Sequence, residues 1–323
     1  MAAKLLSVFP GGKMLDSDVG MVRVTRRSFS LSKKHSLITA VVALVVLIAL
    51  GTWLGTRARP LYPVVSGGKY GYINNSAKVV IPPQFDRAGL FSERMAPVAV
   101  GNRWGYIDRS GKLAIAPQFD LADPFSEGMA LVGNGPKLGY IDKTGKFTIS
   151  LQYDGAGQFG SGLAPVLVSG RWGYIDKNGK MTINPQFDEG GNFSEGLAVV
   201  RTESKYGYID KSGKAVIAPQ FATAGDFHEG LATVRLGEKF GYIDKSGKVK
   251  VNPQFDTAGD FSDGLALVSI AGRVGYIDRS GKYAINPQFD QGGNFRAGLA
   301  PVWIGDREGY INKDGKYVWN PVS

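Results

Sequence analysis

From Pro63 onward the chain alternates short apolar runs with clusters of glycine, aspartate, lysine and asparagine, and the alternation is periodic. The tripeptide Gly-Tyr-Ile begins at positions 71, 105, 139, 173, 207, 241, 275 and 309, each 34 residues after the last. A constant step means that no copy has gained or lost a residue. Self-similarity of this length marks a repeat architecture whose units contact mainly their neighbours. Within one unit three runs read as strands: Leu163–Val168, Trp172–Ile175, and Lys180–Ile183 continuing into Pro185–Phe187. Each is short, rich in β-branched and aromatic residues, and bounded by turn formers. No helical period fits them.

The second and third runs are joined by a segment such as Asp210–Lys214. Here an aspartate side chain opens a type I turn, and Gly213 supplies the positive φ that a bulged hairpin requires. One acid per loop is too few for a calcium site, so the recurring aspartates are turn residues. Tyr174 and Ile175, adjacent on a strand, point to opposite faces, so both faces of each sheet are expected to be covered. The recurring glutamine (Gln84, Gln186 and their equivalents) is expected to bond to backbone at a strand end or unit junction. A single unit buries too little to order its own backbone, so the units must stack.

Two shapes satisfy that need. Propeller blades usually have four strands and about 40 residues or more, whereas this unit shows three strands in 34. The end copies depart from the pattern: Asn74 and Asn312 replace the turn aspartate, and Trp319 stands where isoleucine is usual. Atypical ends suit the caps of an open stack. The expected fold is therefore an all-β array of eight three-stranded antiparallel units in an open, curved solenoid. A closed propeller-like ring is the alternative.

The N-terminal part has a different pattern. Leu37–Leu54 is 18 residues without a charge, long enough for one transmembrane helix. The expected organisation is a basic, disordered cytoplasmic segment (1–35), a membrane helix or signal core (36–56), a linker (57–63) and the array (61–323). More basic residues precede the apolar run than follow it, which places the N-terminus inside and the repeats in the periplasm or outside the cell. Thr25–Leu31 also resembles a twin-arginine export signal, though Ser30 departs from that pattern. Cleavage near Gly51 or Ala58 would then release the array, and Met21 is an alternative start.

Composition narrows the functions. The net charge is +10, but residues 1–60 carry +7 of it, so a membrane accounts for the basicity better than nucleic acid does. There is no cysteine, and His228 is the array's one histidine; thiolate sites, histidine-rich metal sites and nucleophilic triads are excluded. Carboxylates on adjacent units, such as Asp120 and Asp154, arise from the repeat itself and do not make a glycosidase pair. No enzyme, cofactor or metal is expected.

Arg-Trp-Gly-Tyr-Ile-Asp at 103–108 and 171–176, followed by Gly-Lys and Pro-Gln-Phe-Asp, resembles the bacterial WG (KWG) repeat. The resemblance spans 61–323 and implies an interaction module without catalytic residues. The tryptophan itself is kept only at 104 and 172.

Three basic rows follow the array: one before the aromatic position (Lys69 to Arg307), one after the turn aspartate (Arg109 to Lys313) and one after the turn glycine (Lys78 to Lys316). Such rows protect strand edges. They also offer contacts, and Arg103, Trp104, Arg171, Trp172, Lys177, Lys205, Tyr206 and Lys239 are the candidate surface residues. The expected function is a membrane-tethered, monomeric scaffold that binds a protein or an envelope polymer. A released peptidoglycan-binding module is the alternative.

Overall fold

A computed structural model describes residues 60–319, all within the second of the chain's two compact units, Ala58–Ser323. The expected cytoplasmic segment, the membrane helix and the first three residues of the linker, 57–59, lie outside the described residues. Among the described residues no helix is long and apolar enough to cross a membrane.

The array is a closed ring of eight antiparallel sheets, an eight-bladed propeller, and not an open solenoid. Blade two is representative, with strands Arg87–Ala88, Ala96–Val100, Arg103–Ile107 and Leu113–Phe119 hydrogen-bonded in chain order. Blades two to eight have four strands; the described part of blade one has three, Leu61–Ser66, Lys69–Asn74 and Val79–Phe85. The strand missing from the three-stranded expectation is the first. In five blades it is only two residues long, pairing for instance Arg87 with Ala99 and Ala88 with Val98. Two residues carry no alternation, so the segment reads as a crossing between units.

The invariant glycine of Gly-Tyr-Ile has a steric cause. Trp104 pairs with Phe119 and Tyr106 with Ile115, so the fourth strand carries two more residues than the third over that span. The resulting bulge presses against Gly105, where a Cβ would lie 2.5 Å from the Ile115 carbonyl oxygen. Pro117 sits in the bulge on the outermost strand, where a missing N–H breaks no ladder. The hairpin before it is built as its residues require. Asp108 Oδ1 accepts from the Ser110 and Lys112 amides, and Gly111 has φ 87°. The recurring glutamine is exposed and donates to the carbonyl two residues back, as Gln186 does to Asn184 at 3.3 Å.

Tyrosine and isoleucine do face opposite ways, and together they make the seams. Tyr72 packs with Phe85, Phe91 and Val98, and with Ile107 of blade two, in one buried cluster; equivalent clusters recur at each seam. The Tyr72 ring meets the Phe91 ring at 4.9 Å, near edge-to-face. Its hydroxyl donates to the Gly89 carbonyl at 2.9 Å, seventeen residues on. That bond repeats at Tyr106, Tyr140, Tyr174, Tyr208, Tyr242 and Tyr276.

The eighth tyrosine shows the closure. Its hydroxyl, on Tyr310, donates not further along the chain but to the Pro63 carbonyl of blade one at 2.9 Å. Tyr62 in turn donates to the Arg296 and Ala297 carbonyls of blade eight. Tyr62, Val64, Ile73, Leu299 and Tyr310 form the eighth seam, with Trp319 against it. The atypical ends are therefore two sides of one seam rather than two caps. The first strands and the turns after them lie near the ring axis. One cavity there joins Leu90 of blade two to Ser262 of blade seven and Asn294 of blade eight, and the Arg296 guanidinium reaches past blade one to the Phe91 carbonyl.

Candidate interaction surface

The three basic rows have different surroundings. In the first row six of the eight side chains reach the aspartate that follows the outermost strand of their own blade. Arg103 lies 2.7 Å from Asp120 and Lys137 2.6 Å from Asp154, while Arg171 pairs with Asp188 and Lys239 with Asp256. Asp86, Asp120, Asp256 and Asp290 also cap the turn between the second and third strands: Asp120 accepts from the Gly135 amide at 2.7 Å. Bonds from the Lys69 side chain and the Gly101 amide hold the Asp86 carboxyl below the usual carboxylate range. Lys205 has no such partner, because Ala222 occupies that place in blade five. Asp120 and Asp154, on adjacent units, each belong to an ion pair of their own blade.

The second row crosses the seams. Lys143 lies 2.9 Å from Glu93 of the preceding blade, Lys177 3.2 Å from Glu127 and Lys245 3.0 Å from Glu195. These glutamates have positive φ in tight hairpin turns, and each also accepts from a glycine amide of the next blade, as Glu93 does from Gly128 at 3.0 Å. The strain of a left-handed glutamate is thus offset by bonds that tie two blades together.

The aromatic candidates do not form an outer stacking surface. Trp104, Trp172 and Tyr206 are half-buried, packed against the core clusters between their own blade and the next. The Tyr206 hydroxyl donates to Glu189, which also pairs with Arg201 at 2.8 Å. Of the eight candidates, five are engaged in ion pairs or a carboxylate bond, two are seam tryptophans, and Lys205 projects free among the described residues.

The third row was not among those candidates, and it stays open. From Lys78 to Lys316 every lysine is exposed, and among the described residues none has an acidic partner within 4 Å. Each precedes the first residue of the outermost strand, and that residue is apolar in all eight blades. Val79, Leu113, Phe147, Val249, Tyr283 and Tyr317 are exposed there. The signal was in the sequence, as Gly-Lys followed by an apolar residue. Its meaning depends on knowing that this strand is the rim.

Near the axis the surface is acidic and uneven. The position after the inner-strand glycine is Leu90 and Pro124 in blades two and three, then Gln158, Asn192, Asp226, Asp260 and Asn294. Burial, with the neighbouring Asp260 charge second, raises the Asp226 carboxyl to about 6, and burial raises Asp260 as well. His228 Nε2 stands 3.5 Å from Asp260. Among the described residues no group of three or more His, Cys, Asp or Glu is placed to hold a metal.

A ring of radial four-stranded sheets defines a propeller. The family model described as WG containing repeat matches residues 70–104, 104–135, 139–172, 172–206, 206–240, 240–273 and 275–306. The chain belongs to the WG-repeat family. No curated protein matches it. Among solved structures it is similar to one titled as a eukaryotic initiation factor, at 12% identity and TM-score 0.53, over 80% of this chain and 95% of that one. It is also similar to the dihydro-heme d1 dehydrogenase NirN in complex with DHE, at 14% identity and TM-score 0.53, over 80% of this chain and 74% of that one. Identities this low speak for the fold alone.

Proposed function

We propose that the protein is a non-catalytic interaction scaffold whose outer rim binds an acidic protein partner or an acidic envelope polymer. The observation that carries this reading is the third basic row: eight exposed lysines, each beside an apolar side chain, with no described acid within 4 Å of them. The other two rows, spent on clamping hairpins and seams, contribute little to a partner. Exposed apolar groups rimmed by charge are the usual composition of a contact surface. The apolar stretch Leu37–Leu54 is read as a membrane tether that holds the ring on the far side of the cytoplasmic membrane. The half-buried Trp104 and Trp172 do not favour a glycan-stacking platform.

The test uses an acidic, tyrosine-containing polypeptide and purified peptidoglycan as probes against the wild type and a Lys112→Glu, Lys146→Glu, Lys180→Glu variant. Saturable binding to the polypeptide, weakened by salt and lost in the variant at unchanged thermal stability, supports the reading. Binding that ignores the three charges, or binding only to peptidoglycan through Trp104 and Trp172, overturns it.

A further inference from the structure

The seam between blades eight and one differs from the other seven. A cavity of about 460 Å³ opens there, lined among others by Tyr70, Trp303, Glu308, Tyr310 and Trp319. This volume is in the range of sites for small ligands or single side chains. The position of Glu308 is aromatic or aliphatic in every other blade: Tyr70, Trp104, Leu138, Trp172, Tyr206, Phe240 and Val274. Trp303, directly opposite Glu308 across the strand pair, replaces residues such as Ala99, Gly133 and Ser269. Trp319, opposite Tyr310, replaces an isoleucine or valine. The three departures from the repeat converge on one cavity. At the position where the other seams put an apolar side chain, this one puts a carboxylate in a cavity that two indoles also line.

The Glu308 carboxylate is half-buried, and among the described residues it accepts no hydrogen bond and has no cation within 4 Å. Burial raises its pKa. A partly desolvated carboxylate without a partner is unfavourable in the empty site and favourable once a cation arrives. Asp306 on the adjoining turn adds a second negative charge to the lining. The lining is rich in aromatic rings, whose faces attract organic cations and not anions.

We propose that this seam is a binding site for an organic ammonium group, held by the Glu308 carboxylate and enclosed by Trp303, Trp319 and Tyr70. The chemistry is shared by quaternary ammonium compounds and by lysine side chains of a partner polypeptide. The site is separate from the rim lysines, which repel such groups, so it stands or falls independently of the rim reading.

The experiment titrates the full chain with tetramethylammonium, with choline, with Nα-acetyl-lysine methylamide and with 3,3-dimethylbutanol, the uncharged analogue of choline. Binding is read from the indole N–H signals of Trp303 and Trp319 in selectively labelled protein. The expected result is a saturable shift of these two signals with tetramethylammonium and choline, and little response to the alcohol. A matching response to the lysine derivative identifies a polypeptide source, and its absence a small quaternary amine; either outcome supports the site. Glu308→Gln is expected to weaken binding by about tenfold or more, with the fold intact because the amide is isosteric. Trp303→Ala, the residue blade two has at that place, is expected to weaken it as well. The proposal is overturned if no cation shifts the two indoles saturably, if the alcohol binds as well as choline, or if Glu308→Gln binds as the wild type does.

Discussion

Asp226→Asn should stabilise the protein, and only above mildly acidic pH. Asp226 lies near the ring axis, largely buried, with Asp260 of the next blade adding repulsion and His228 partly relieving it. Its carboxyl is raised from 3.8 to about 6. At about 1.4 kcal/mol per unit, a shift of this size costs the folded state on the order of 3 kcal/mol once the carboxyl is ionised. The sign follows from proton binding. Between the unfolded and folded values the native state holds the extra proton, so stability falls as pH rises through that window and the penalty is complete above it. An amide fits the place, since Asn192 and Asn294 occupy it in blades five and eight. Urea unfolding across pH 4 to 9 should find the variant more stable than the wild type by about 2–3 kcal/mol at pH 8, with the gap closing below pH 5. A pH-independent gap, or a variant less stable at pH 8, would refute the reasoning.

Other predictions concern the frame. Gly105→Ala places a Cβ 2.5 Å from the Ile115 oxygen and should cost about 1–3 kcal/mol in denaturant titrations, whereas Gly101→Ala, with open space around it, should cost less, only the roughly 1 kcal/mol of an alanine at its φ of 61°. Tyr310→Phe should cost about 1–2 kcal/mol, as much as Tyr174→Phe, because in a closed ring both hydroxyls satisfy a carbonyl of a neighbouring strand; in an open array Tyr310 would have nothing to lose. Arg103→Gln should change stability by no more than about 1 kcal/mol, since its pair with Asp120 is exposed.

The long strands were legible because each is five to seven residues long, alternates, and ends in a turn with its own chemistry. So was the opposite facing of Tyr106 and Ile107, which needs only the two-residue period of a strand. The two-residue inner strands were not legible: Arg87–Ala88 has no pattern, and only the pairing with Ala99 and Val98 makes it a strand. Closure was hidden for another reason. Whether eight units form a ring depends on a small rotation at each seam, and no single residue encodes the sum. The candidate surface suffered from the same gap. Arg171 and Asp188 are seventeen residues apart, and only the two-residue bulge opposite Gly173 brings them together. Glu308, by contrast, was visible as the one acid in an apolar row, but the cavity that gives it meaning exists only where the last blade meets the first.

In the closed ring the first and last blades touch. The Tyr62 and Tyr310 rings lie 5.6 Å apart between centroids, although 248 residues separate them in the chain. Nuclear Overhauser spectroscopy on tyrosine-labelled protein should show cross-peaks between these two rings, removed by Tyr62→Leu or Tyr310→Leu. Their absence in folded wild-type protein, with the Tyr72–Phe91 contact of an internal seam still observed, would contradict the closed ring.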